Sequence, residues 1–210
     1  MSSQQDIYVI GCGGHAKVVL ATLQAAGHVV KAIFDDDKMK WGKDLWGIPV
    51  TGAPSELEGL SSPQAIIAIG ENRARKTVAQ RFPRVEWLTA VHPTAYLHPS
   101  VRLGPGSVVF AGAVIQPDTS IGVHSIINTA AAVDHDCVVG DYVHIAPGVR
   151  VAGGVRLGEG VLMGIGSAVI PCVSVGSWSV VGAGGVVVSD LAENVLAVGV
   201  PARPVQRREH

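Results

Sequence analysis

From Val91 onward the chain repeats its pattern of apolar and polar residues every six positions. An aliphatic residue opens each block, as at Val91, Leu97, Leu103, Val109, Ile115, Ile121, Ile127 and Val133, and the phase holds for seventeen blocks to Val187. The fifth position is small or β-branched almost throughout, with Leu191 the bulky exception. It lies two residues before the next block's first position, and side chains alternate along an extended strand, so both point to one core. Glycine follows the aliphatic residue at Gly104, Gly122, Gly140, Gly158, Gly164, Gly176 and Gly182, where corners between short strands are expected to use its backbone freedom. A β-sandwich does not keep such a phase. The pattern predicts a parallel β-helix, each rung supplying part of a continuous core.

Before Val91 the pattern is that of a small α/β unit. Ile7 to Ile10 reads as a strand, Gly11-Cys12-Gly13-Gly14 as a turn, and Val18, Val19, Leu20, Leu23 and Ala26 as a helix that Gly27 stops. A second strand, Val29 to Phe34, runs into Asp35-Asp36-Asp37. Lys38 to Leu60 reads as loop, with Trp41, Trp46 and Pro49 covering the sheet edge. A third strand, Gln64 to Ile69, ends in Gly70-Glu71-Asn72 before a helix from Arg73 to Phe82, and Val85 to Thr89 reads as a last strand. The expected organisation is a Rossmann-like α/β domain over residues 1–90, a β-helix over 91–192 joined without a flexible linker, and a cap over 193–210.

The first domain carries the marks of a nucleotide site. Gly11, Gly13 and Gly14 would let backbone N–H groups face an anion at a helix start. Asp35 and Asp36 stand about 20 residues on, where such folds hold a ribose. Gly70 and Asn72 end the neighbouring strand and should lie beside the turn. Ala16 and Lys17 stand where a last glycine would complete G-x-G-x-x-G, which favours a sugar nucleotide over a dinucleotide.

Composition narrows the setting. A net charge of -1 gives no footprint for nucleic acid or an anionic membrane. The sequence has no apolar run of membrane-spanning length, and MSSQQD lacks the features of a signal peptide, so a cytoplasmic protein is expected. Cys12, Cys137 and Cys172 lack metal-ligand spacing and are expected to be reduced, with no metal site.

One dense polar cluster interrupts the repeat: Asn128-Thr129, Asp134-His135-Asp136-Cys137, Tyr142 and His144. His135, third in its block, belongs near a corner, beside carboxylates that can orient an imidazole and raise its basicity. His144, sixth in its block, is turned outward by parity. The remaining repeat and terminal histidines, His92, His98, His124 and His210, and His28 before them, are expected to be solvated.

The repeat resembles the hexapeptide-repeat acyltransferases, which implies a left-handed triangular helix of eighteen residues per coil, here five to six coils and roughly 25 Å tall. The whole chain is similar to bacterial nucleotide-aminosugar N-acetyltransferases related to the bacillosamine enzyme, with sialic acid O-acetyltransferases as relatives. The resemblance rests on G-C-G-G-H-A-K at 11–17, D-D-D at 35–37, I-N-T at 127–129, H-D-C-V-V-G at 135–140, His144 and G-V-P-A-R at 199–203. It implies that acetyl-CoA is the co-substrate, that His135 is the general base and that Asp136 orients it. It further implies that His144 contacts the acetyl group, that Asn128 lies near the sugar, that the 11–17 turn including His15 serves the substrate, and that Arg203 lies near the coenzyme A nucleotide.

Gly153, one coil above His135, would offer its N–H to the thioester oxygen and leave room for pantetheine. His135 and His144 are nine residues apart, half a coil, and cannot easily meet within one chain. A homotrimer with sites between subunits is therefore expected. The expected activity is N-acetylation of a nucleotide-linked 4-amino-4,6-dideoxy sugar, of bacillosamine or perosamine type. The alternatives are O-acetylation of a sialic acid-like sugar and a non-catalytic sugar-nucleotide scaffold.

Overall fold

The computed structural model describes residues 6–205; His210 lies outside them. Strand β1 (Ile7–Ile10) leads into helix α1 (Gly14–Ala25), and β2 (Val30–Phe34) follows. A hairpin of β3 (Asp44–Leu45) and β4 (Ile48–Gly52), then β5 (Gln64–Ile67), helix α2 (Asn72–Arg81) and β6 (Glu86–Trp87) complete the unit. The sheet order is β3-β4-β2-β1-β5-β6, parallel except for β3. Residues 38–60 are therefore more than loop. Ile48–Gly52 alternates buried and exposed residues, with Ile48 and Val50 inward, and pairs with β2. Pro49 and Gly52 disguise this strand as a breaker-rich loop. Trp41 donates its Nε1–H to Asp35 O at 2.7 Å, whereas Trp46 stands exposed at the hairpin turn rather than covering an edge.

From Ala90–Val91 on, two-residue strands stack eighteen residues apart into three parallel sheets. The first face runs through Val108–Val109, Ile126–Ile127, His144–Ile145, Leu162–Met163 and Val180–Val181. The second includes Ala132–Val133 and Arg150–Val151, and the third Val138–Val139 and Arg156–Leu157. First-position residues from Val109 onward are buried, while Val91, Leu97 and Leu103 are half-buried at the open end of the prism. Three inward hydroxyls find carbonyls: Ser107 donates to Gly122 O, Thr119 to Asp134 O and Ser125 to Gly140 O, at 2.7 to 2.9 Å. Cys137 repeats this contact more weakly, Sγ to Ala152 O at 3.2 Å.

The glycines that follow the aliphatic positions act otherwise than expected. Left-handed backbone falls on the fourth position of the blocks, at Gly148, Gly154 and Gly160 but also at Asp118, His124, Asp136, Tyr142 and Trp178. The second-position glycines instead allow stacked turns to approach. A Cβ on Gly140 would lie 2.8 Å from Glu159 N.

The C-terminal segment continues the first face as Leu196–Gly199 and folds back as Ala202–Val205, with Ala197 and Ala202 closing the core. At the other end, α1 lies across the outside of the first face. Ala16, Val19, Leu20 and Leu23 share one cluster with Ala90, Val108, Phe110 and Ile126, which explains why these outward positions are apolar. Helix α2 docks one coil further along, where Lys76 meets Glu159 and Arg73 stacks 4.3 Å from the Trp178 ring centre.

Candidate active site

The carboxyl ends of β1, β2 and β5 open into a cleft of about 440 Å³ lined by Gly11, Cys12, Gly13, Gly14, His15, Asp35, Asp36, Lys40 and Gly70. Gly11 has φ +101° and donates to Phe34 O at 2.7 Å. A Cβ there would meet Ile69 at 3.0 Å, so the tight turn requires glycine. No side chain caps α1 and no acidic residue lies in its first turn, while Gly13 and Gly14 are exposed to the cleft. Unpaired N–H groups and the helix dipole thus converge on an anion position.

Asp35 is already engaged. Its Oδ2 accepts from Cys12 N–H at 2.6 Å and from Lys40 Nζ at 3.0 Å, and its Oδ1 accepts from Asp37 N–H. Burial alone would raise its pKa, but the Asp37 and Cys12 N–H groups and Lys40 outweigh burial and hold it below the usual range. Asp35 therefore ties the glycine turn to the β2 loop, and Asp36 on the cleft wall has no hydrogen bond or ion pair from its carboxylate among the described residues. Asn72 is not in the cleft. It is 7% exposed, and its amide donates to Gly160 O and Val161 O, 3.0 and 3.2 Å away, docking α2 on the prism.

Behind Gly70, His144 joins the domains. Its Nδ1 is 3.2 Å from Gly70 O and its Nε2 3.1 Å from Asn128 Nδ2. A carbonyl only accepts, so Nδ1 carries the hydrogen, and Nε2 accepts from Asn128. Asn128 is fixed in that sense because its Oδ1 accepts from Thr129 N–H at 2.8 Å. The His15 ring centre lies 6.1 Å from that of His144 and meets Phe110 edge-on at 5.5 Å. Burial, then the Arg75 guanidinium, push both His144 and His15 down to about 4. Both are neutral at physiological pH.

His135 lies elsewhere, at the corner between the second and third faces, opposite the first face that carries His144. Asp136, in left-handed backbone at φ 58°, brings its carboxylate to His135 Nδ1 at 2.7 Å. The carboxylate holds the hydrogen on Nδ1 and leaves the Nε2 lone pair outward. The Asp136 hydrogen bond raises the His135 pKa, with charge from Asp134 and Asp136 adding to it. Gly153 is buried beneath this ring. A Cβ there would be 2.7 Å from His135 Nε2, so the glycine makes room for the imidazole. Arg203 is exposed on the terminal hairpin, and its guanidinium bonds only the preceding Ala202 O among the described residues.

Residues 6–82 match the family described as the PglD N-terminal domain. Over 98% of its length the chain is 43% identical to a perosamine N-acetyltransferase from Caulobacter crescentus solved as a histidine variant with CoA and GDP-perosamine, covering 99% of that chain at a TM-score of 0.90. It is 36% identical to the acetyltransferase domain of PglB from Neisseria gonorrhoeae FA1090, solved with acetyl coenzyme A, over 97% of this chain and all of that one, TM-score 0.90. The chain belongs to the hexapeptide-repeat acetyltransferases of amino-sugar nucleotides. A curated relative, the UDP-N-acetylbacillosamine N-acetyltransferase of Bacillus subtilis, is 38% identical over 112 residues. The match spans about half of each protein, 51% of this chain and 52% of the relative.

In this acetyltransferase, features unforeseen from sequence complete the site. Lys40 is the cation on the cleft wall. Arg75 is buried behind His144. His124, expected in solvent, is 3% exposed, stacked 5.5 Å from Tyr142 and edge-on to Trp87. The α/β domain covers it, so its position in the repeat gave no sign of burial. His28, His92 and His98 are half-buried, the last two bonded to Thr94 and Ser100. Among the described residues no cluster could hold a metal ion, and no helix is long and apolar enough to cross a membrane.

Proposed function

We propose that the protein moves the acetyl group of acetyl-CoA to the amino group of a nucleotide-linked 4-amino-4,6-dideoxy sugar of perosamine or bacillosamine type. The relatives solved with CoA, acetyl coenzyme A and GDP-perosamine support this reading. The observation that carries it is the His135–Asp136 pair, in which the carboxylate on Nδ1 leaves Nε2 as a basic lone pair. The nucleotide sits against the Gly13–Gly14 helix start, with Asp36 at its ribose.

The catalytic unit is a homotrimer, in which the His135 corner of one subunit faces the cleft and His144 of the next. The sugar amine attacks the thioester carbon while Nε2 of His135 takes its proton. The Gly153 N–H holds the developing oxyanion. His144, its Nδ1–H turned to Gly70 O at 3.2 Å, lies on the acetyl-group side of the site. The C–S bond then breaks and the coenzyme leaves as its thiol, taking the proton back from His135.

Incubation with acetyl-CoA and a panel of GDP- and UDP-linked 4-amino sugars, read by mass spectrometry, tests this. One acetyl group should appear on the amine, and transfer only to hydroxyl sugars would overturn the reading. The pH profile gives a second check. The base acts when neutral, so the rate should climb as pH rises through the His135 pKa, raised above its usual value by Asp136. Asp136→Asn removes that support, so the acid limb should move to lower pH while the plateau drops about tenfold or more from lost orientation. An unmoved limb would assign it to another group.

A further inference from the structure

A buried cation stands behind the His144 side of the site. Arg75 is 1% exposed. Among the described residues no carboxylate pairs with it; its partners are Ile69 O and Gly70 O from Nη1, His124 O from Nε, and Asn72 Oδ1, Tyr142 O and Val143 O from Nη2, at 2.7 to 3.4 Å. Taking a charge out of water is costly, and burial pushes this guanidinium down to about 10 against the weaker pull of the Glu71 carboxylate. Helix α2 also docks through Asn72 and Lys76, so holding the domains together does not by itself call for a cation here.

The Gly70 carbonyl shows what the cation does. It accepts from Arg75 Nη1 at 3.1 Å and faces His144 Nδ1 at 3.2 Å. One carbonyl has two lone pairs, and here one side chain from each domain uses one. We propose that Arg75 is a positioning residue for acetyl transfer, clamping the Gly70 carbonyl against His144 and keeping that ring's hydrogen on Nδ1. The titratable groups facing His144 are Arg75 and His15; burial and both of these act against its protonation and outweigh the Gly70 hydrogen bond, which favours it. A protonated His144 would place N–H on Nε2 against the Asn128 amide N–H and break the ordered chain Thr129–Asn128–His144–Gly70. The assignment rests on the acetyl-transfer reading above.

The test compares the full-length variants Arg75→Gln and Arg75→Lys with Lys76→Ala, which loosens the same helix without touching Gly70. In Arg75→Gln the NMR titration of the His144 ring should rise by about one pH unit or more, and kcat should fall about tenfold with KM for the nucleotide sugar changed less than about threefold. Arg75→Lys keeps the charge but not the fork, so His144 should stay neutral and kcat should fall less. Lys76→Ala should leave the titration where it is. If Arg75→Gln does not fold, Arg75→Lys decides through its kcat. An unmoved His144 titration in a folded Gln variant, or wild-type kcat in either Arg75 variant, overturns the proposal. A wild-type chain that transfers no acetyl group refutes the functional reading instead and leaves the titration result standing.

Discussion

His135→Ala should lower kcat/KM by roughly 10²–10⁴-fold, the range associated with removing a positioned general base, while the fold and coenzyme binding persist. The His135 side chain is 60% exposed, and its ring makes one side-chain hydrogen bond, to Asp136. Its loss leaves no buried group unpaired, so the thermal midpoint should move little, as for surface substitutions generally. Calorimetric titration with CoA separates binding from chemistry. A variant that binds CoA and turns over at the wild-type rate would remove His135 as the base. The companion change His135→Gln tests the proton rather than the volume: it fills the space above Gly153 without supplying a base, and should be as slow as alanine.

The sequence carried the prism and the His135 corner more fully than the joint between domains. A six-residue phase is a local property, so the core positions and the outward parity of His144 could be counted. The His135–Asp136 pair is also local, two neighbours on one turn. Second-position glycines were a different matter: they serve contact with the coil above, and φ at the fourth position cannot be read when Asp136, Tyr142 and Trp178 occupy it as well as glycine. The buried face of α2 consists of Asn72, Arg75 and Ala79, a stripe that hydrophobic periodicity scores as solvent-facing. His124 escapes the repeat pattern for the same reason, since what buries it comes from the other domain. Asn72 was expected in the cleft because it ends a strand loop; its amide instead satisfies carbonyls of the prism. Long-range docking through polar groups is what a single sequence conceals, and here it runs through Asn72, Arg75 and His144.

Mixing two inactive variants should restore about one quarter of wild-type activity, because the proposed site draws its parts from two subunits. One variant is His135→Ala, with an intact cleft. The other is Gly13→Asp, with an intact corner. Gly13 is the N-cap of α1 and has ordinary extended backbone, and a Cβ added to it would meet nothing within 4 Å; Asp is also a favoured N-cap residue. The helix should therefore be kept or strengthened, while the new carboxylate repels a diphosphate from the same N–H groups. In trimers assembled at random from equal amounts, a given interface has an intact cleft from one variant and an intact corner from the other about one time in four. Subunit exchange by co-refolding, followed by the acetyl-transfer assay, measures this directly. No recovery despite mass-spectrometric proof of mixed trimers would mean that each chain completes its own site. The half-coil placement of His135 and His144 argues otherwise: within one prism they occupy a corner and the face opposite it, and only a neighbouring prism turns that separation into a shared wall.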